Sequence, residues 1–97
     1  MNLSERQRKV LRRHAHTLKP VVIVGRHGLT DAVVAATDEA LERHELVKIR
    51  FAGCDRTERD RLVRELARRT QSLPVQRVGF VLTLYRRHPK RPRVPLS

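Results

Sequence analysis

Gly25 and Gly28, enclosing Arg26 and His27 and followed by Leu29 and Thr30, form the stretch of this chain whose residue types and spacing best suit a ligand. Glycine reaches backbone conformations closed to other residues and lets a ligand approach main-chain N–H groups closely. Thr30 is a natural helix N-cap, and the first turn of the helix it opens carries free N–H donors and a partial positive charge. With an arginine and a histidine at the tip, the chemistry indicated is capture of a phosphate. Two glycines three apart also occur in plain strand-to-helix turns, so the reading depends on the charge around them.

The other chemistry-bearing residues form no comparable set. His14 and His16 project from different faces of a helix, His44 falls at a helix end and His88 near the C-terminus, so no pair has metal-ligand spacing on one face. Cys54 is the single cysteine, which excludes an intramolecular disulfide, and with no histidine beside it the thiol reads as structural. Asp55, Glu58 and Asp60 could suggest a metal-dependent nuclease, but a helix cap and ion pairs account for them. A P-loop would need a longer glycine-rich loop ending in Gly-Lys-Ser/Thr, and a dinucleotide fold needs Gly-x-Gly-x-x-Gly; neither is present. A KH domain also carries a Gly-x-x-Gly, but between two helices, whereas here it joins a strand to a helix. The expectation is a binding protein with no catalytic residues, no metal and no cofactor.

The charge names the partner class. Lys and Arg number 22 against 10 Asp and Glu, a formal net charge of +12, which calls for a polyanion. Nucleic acid is favoured over a membrane surface because no basic amphipathic segment carries anchoring Trp or Phe. Phe51, Phe80 and Tyr85 are the only aromatic residues, so a platform built from a row of aromatics is excluded and contact should run mainly to phosphate and sugar. The N-terminus has no apolar run suited to a signal peptide, and Val21–Val24 is far below the ~20 residues of a membrane helix. A cytoplasmic monomer is expected.

The elements that must position the loop follow from periodicity. Ser4 and Gln7 make a capping box, and Leu3, Val10, Leu11, His14, Ala15 and Leu18 recur at helical spacing, predicting a helix over 5–16 with basic outer faces. Pro20 precedes a strand, 21–24, whose unbroken β-branched run predicts burial on both faces and a place inside the sheet. A second helix spans 31–44, with an apolar stripe of Leu29, Val33, Ala36, Ala40 and Leu41 and an acidic face of Asp38, Glu39 and Glu42 turned from the loop. Asp31 suits the helix dipole but stands where a phosphate would want no carboxylate.

Residues 46–52 alternate, Val47, Ile49 and Phe51 against Lys48 and Arg50, which predicts a half-exposed strand with a basic outer side. Asp55 and Glu58 cap a third helix, 56–70, with Leu62, Val63, Leu66 and Ala67 toward the core and Asp60/Arg64 and Glu65/Arg69 spaced for surface pairs. Two strands, 73–78 and 80–85, hinge near Gly79, with Tyr85 on an exposed side. Residues 88–97 are basic and proline-rich and read as a disordered, mobile tail, leaving 1–87 as the folded domain. The expected fold is a two-layer α/β sandwich with three helices and a four-stranded mixed sheet in the order α-β-α-β-α-β-β.

Leu18-Lys19-Pro20-Val21 leading into Val24-Gly25-Arg26-His27-Gly28-Leu29-Thr30, then 40–48, Val78-Gly79-Phe80 and Leu84-Tyr85-Arg86 together resemble the CRM domain (chloroplast RNA splicing and ribosome maturation), and within it small bacterial YhbY-like proteins. The resemblance covers most of residues 2–87. It implies a fold similar to the C-terminal domain of bacterial translation initiation factor three, RNA as the ligand, and association with precursors of the large ribosomal subunit. It also implies that the Gly25–Gly28 loop and nearby basic residues meet the RNA. His27 departs from the family pattern, since bacterial relatives often carry Asn there. The expected RNA-contact set is Gly25, Arg26, His27, Gly28, Leu29 and Thr30, with Arg6, Lys9, Arg13, Lys19, Arg86 and Arg87. The same charge would also fit a general DNA- or nucleic-acid-binding protein.

Overall fold

The computed structural model describes residues 2–96. Its elements run α1 (Glu5–Ala15), β1 (Pro20–Val24), α2 (Asp31–His44), β2 (Leu46–Phe51), α3 (Arg56–Thr70), β3 (Leu73–Val78) and β4 (Val81–Tyr85). Each helix starts where its cap lies. Ser4 and Gln7 exchange both capping-box hydrogen bonds, the Thr30 hydroxyl accepts from the Val33 N–H, and the Asp55 carboxylate accepts from the Glu58 N–H.

The four strands lie in the order β1-β2-β4-β3. β1 and β2 are parallel across the α2 crossover, and β4 inserts antiparallel between β2 and β3, so the sheet is mixed. One face packs on α2 and α3: Val22, Val24, Val47, Ile49, Phe51, Leu82 and Leu84 meet Leu41, Leu62, Val63, Leu66 and Ala67. On the other face α1 covers one end only, where Leu11 and Ala15 pack with Leu46, Val75 and Tyr85.

That half-open second face explains where burial departs from the sequence pattern. β1 is an edge strand, consistent with Pro20 at its start, and Val21 and Ile23 are 56% and 61% exposed rather than buried. Tyr85, expected outside, is fully buried because it lies under α1. Phe80 falls in the hairpin turn instead of the strand and is exposed. In α2 it is Thr37 that is buried and Ala36 that is exposed; the Thr37 hydroxyl returns its hydrogen bond to the Val33 carbonyl at 2.9 Å, which makes its burial affordable.

Ion pairs also differ from the expected helix spacing. Asp60 pairs across to Arg77 of β3 and Arg69 reaches Asp31 of α2, while Glu65 pairs within the helix with Arg68 rather than Arg69.

The C-terminal segment, expected to be mobile charge, lies against the domain as far as Leu96; Ser97 is outside the described residues. Its anchor is Glu45, the C-cap of α2, held at φ 63° and completely buried. The Glu45 carboxylate accepts the N–H groups of His88 at 2.6 Å, of Val94 at 2.7 Å and of Arg93. Val94 and Leu96 then pack beside Leu11 and Tyr85. Burial alone would raise the Glu45 carboxyl, but these three donors and the neighbouring His88 hold it below its ordinary value of 4.5.

Candidate nucleic-acid interface

The Gly25–Gly28 loop leaves the end of β1 as an exposed turn closed by the Gly28 N–H on the Gly25 carbonyl at 3.0 Å. Gly28 sits at φ +72°, a conformation that L side chains seldom adopt. Gly25 does not: its φ is ordinary and a Cβ there would meet nothing within 4 Å, so what glycine supplies at that position is open space. The Thr30 N–H donates to the Gly28 carbonyl at 3.1 Å. The N–H groups of Gly28 and Thr30 are therefore used within the loop. Those left to α2 are on Asp31 and Ala32, since Thr30 satisfies Val33.

Arg26 and His27 are exposed at the tip. Beneath Arg26 lies Gly53 at φ +78°, where a Cβ would come within 3.3 Å of the Arg26 Cβ. This close approach seats the loop on the β2–α3 turn. Beside it is a shallow depression of about 330 Å³ between the loop and α3, lined by Arg26, His27, Gly28, Arg61, Glu65 and Arg69, among others. Arg69 reaches the Leu29 carbonyl at 3.5 Å and the Asp31 carboxylate at 3.4 Å, so the awkward carboxylate at the start of α2 is offset by a cation. Glu65 is held below its ordinary value by the hydrogen bond from Arg68.

Arg6, Lys9 and Arg13 are exposed on α1, and none has a carboxylate partner among the described residues. They do not adjoin the loop. α1 packs where β2 begins and β4 ends, whereas the loop leaves the opposite end of the sheet. The open sheet face joins the two. A groove of about 750 Å³ runs from Arg12, Arg13 and His16 over Lys48, Thr83 and Gln76 to Val78 and Val81. Arg50 stands in the next row, between Ile23 of β1 and Val81 of β4. Lys19 is exposed in the link between α1 and β1, and Arg87 is exposed past β4.

Arg86 is differently placed. Its guanidinium is bound to Asp38 at 2.6 Å, the Thr70 carbonyl at 2.8 Å, the Asp38 carbonyl at 3.1 Å and Glu42 at 3.5 Å. The acidic face of α2 is thus the clamp for this residue, and Arg86 offers little free charge. Conversely, Lys48, Arg50, Arg61 and Arg69 join the basic surface without having been in the expected set. Alternation had already put Lys48 and Arg50 on the outer side, and the four-residue spacing of Arg61, Glu65 and Arg69 marks one helix face.

The acidic residues around the start of α3 are each engaged in the fold. Asp55 is the α3 cap, Glu58 lies 4.0 Å from Arg61, and Asp60 faces Arg77. Among the described residues no three His, Cys, Asp or Glu side chains come together as a metal site. Cys54 is a free thiol packed against the main core. No described helix is long and apolar enough to cross a membrane.

Comparison with known proteins agrees with this architecture. A Haemophilus influenzae protein named as an RNA-binding protein is 42% identical over 84 residues, covering 87% of this chain and 85% of the relative. A Pseudomonas aeruginosa protein, named as a probable RNA-binding protein, is 40% identical over 90 residues, 93% of this chain and 86% of the relative. The solution structure of the Staphylococcus aureus protein SAV1595, described there as a candidate RNA binder, superposes with a TM-score of 0.79 at 27% identity, covering 97% of this chain and all of that one. The family described as the CRS1 / YhbY (CRM) domain matches residues 3–86, and this chain belongs to it.

Proposed function

We propose that this protein is a non-catalytic RNA-binding factor that grips the backbone of a structured RNA with the Gly25–Gly28 loop and the basic open face of the sheet. The observation that carries the reading is the distribution of charge. Arg6, Lys9, Arg13, Lys19, Arg26, Lys48 and Arg50 have no carboxylate partner among the described residues, while Asp38 and Glu42 of α2 are turned to Arg86 and His88. A phosphate at the loop would meet Arg26, the free N–H groups of Asp31 and Ala32 and the positive end of α2. The cations of the open face and α1 would then hold adjoining phosphates and set the register.

The names of the relatives support RNA as the ligand. The family resemblance supports a more specific role in the cytoplasm, assembly of the large ribosomal subunit on its precursor RNA. Competition between large-subunit ribosomal RNA and duplex DNA of equal length at physiological salt tests the reading, because charge alone binds both. RNA should win. Equal affinity would instead favour a general nucleic-acid-binding protein, and crosslinking followed by sequencing of the bound RNA would locate the contacted segment.

A further inference from the structure

Of the three aromatic side chains, Phe51 and Tyr85 are at most 1% exposed, whereas Phe80 is 55% exposed at the tip of the β3–β4 hairpin. Gly79, at φ +57°, makes the turn that projects it. One side of the ring rests on Arg59, whose guanidinium carbon lies 4.7 Å from the ring centroid and whose side chain is nearly buried. That contact backs one face of the ring, and more than half of the residue stays open to solvent. Arg59 has no carboxylate partner among the described residues, and its Nε has no hydrogen-bond partner.

Phe80 also stands at the loop end of the sheet. Its carbonyl accepts the Phe51 N–H at 2.8 Å, Phe51 is the register partner of Val24, and Gly25 follows Val24. Two strand spacings, about 10 Å in all, separate the hairpin tip from the root of the loop. Arg56 lies one turn before Arg59 on the same side of α3, exposed and without a carboxylate partner among the described residues.

We propose that Phe80 is a stacking site for one unpaired nucleobase of the RNA gripped by the loop. A flat π-surface backed by a guanidinium accepts any base at little entropic cost, and Arg56 at the start of α3 and Arg26 seated on Gly53 stand at the same end of the sheet to meet its phosphates. The ligand class is therefore an RNA in which a paired segment adjoins a single-stranded nucleotide, rather than continuous duplex. This rests on the RNA-binding reading above and adds a base contact to its backbone contacts.

The test compares a blunt RNA duplex with the same duplex bearing an adenine overhang, each titrated with wild type, Phe80→Ala, Phe80→Tyr and Gly28→Asp. Wild type should prefer the overhang by about 5- to 150-fold, the range for one stacked base. Phe80→Ala should lose that preference while keeping its affinity for the blunt duplex, and Phe80→Tyr should retain it. Gly28→Asp should weaken both. If Phe80→Ala discriminates as well as wild type, the stacking site is wrong while RNA binding stands. If wild type binds neither RNA, the RNA-binding reading fails and the stacking site with it. A Phe80-dependent change in solution mass with no change in RNA affinity would assign the ring to contact between copies and overturn the proposal.

Discussion

The main-chain N–H of His88 donates to the buried carboxylate of Glu45 at 2.6 Å, and through this bond the C-terminal segment becomes part of the domain. Deleting residues 88–97 should therefore destabilise the fold as well as remove charge. It strips the carboxylate of its three N–H donors and uncovers the site that Val94 and Leu96 occupy. A loss on the order of 3 kcal/mol is expected, read as a lower melting temperature. An unchanged melting temperature would mean that the segment contributes only charge.

The same carboxylate gives a pH signature. Because folding lowers its pKa, its stabilisation is fully present above the ordinary value of 4.5 and is lost as pH falls through the lower, folded value. Wild type should hold this component at neutral pH and lose it in acid. Glu45→Gln, which cannot ionise, should be less stable at pH 7 and lack that acid-dependent loss. Parallel stability–pH curves for the two proteins would contradict the assignment.

Arg86→Ala should act on stability rather than on the salt dependence of RNA binding, since the guanidinium is committed to Asp38, Glu42 and the Thr70 carbonyl. A loss of about 1–3 kcal/mol is expected in denaturant unfolding. Lys48→Ala or Arg50→Ala should do the reverse. Each should leave stability nearly unchanged and reduce the slope of log affinity against log salt by roughly 0.7–0.9 if it holds a phosphate.

Much of the fold could be read locally, because caps and alternation are local signals. Ser4 with Gln7, Thr30, and Asp55 with Glu58 marked the helix starts, and Val47, Ile49 and Phe51 against Lys48 and Arg50 gave β2 its two faces. What escaped depends on partners distant in sequence. The run Val21–Val24 gives no sign that one sheet face stays open, Tyr85 is buried by a helix seventy residues earlier in the chain, and Glu45 looks like an ordinary polar residue until the C-terminal segment returns to it. The loop's exposed place between β1 and α2 was legible because its motif is continuous. Its neighbours Arg61 and Arg69 come from α3 and are assembled only by tertiary packing.

Two glycine substitutions separate the loop's frame from its ligand side. Gly53→Ala places a Cβ 3.3 Å from the Arg26 Cβ at a positive φ, so it should displace the loop, with a strain cost of about 1–3 kcal/mol and weaker RNA binding. Gly25→Ala meets no protein atom within 4 Å and should leave stability close to wild type. Any loss of RNA affinity it causes then reports close approach of the ligand, which a titration of both variants with one structured RNA would reveal.

The proposed seating of an RNA phosphate on the Gly25–Gly28 loop can be probed with one substitution, Gly28→Asp. A Cβ at Gly28 has only the Leu62 Cδ2 near it, at 4.0 Å, and Asp tolerates a positive φ better than most residues, so the variant should fold with a penalty of about 1–2 kcal/mol. Its carboxylate would stand where the proposed phosphate would lie. With folding checked by circular dichroism, equilibrium binding to large-subunit RNA should fall by at least about tenfold, the loss of one charge-assisted contact. A folded Gly28→Asp protein that binds this RNA with wild-type affinity would contradict the account and leave the loop as a structural turn.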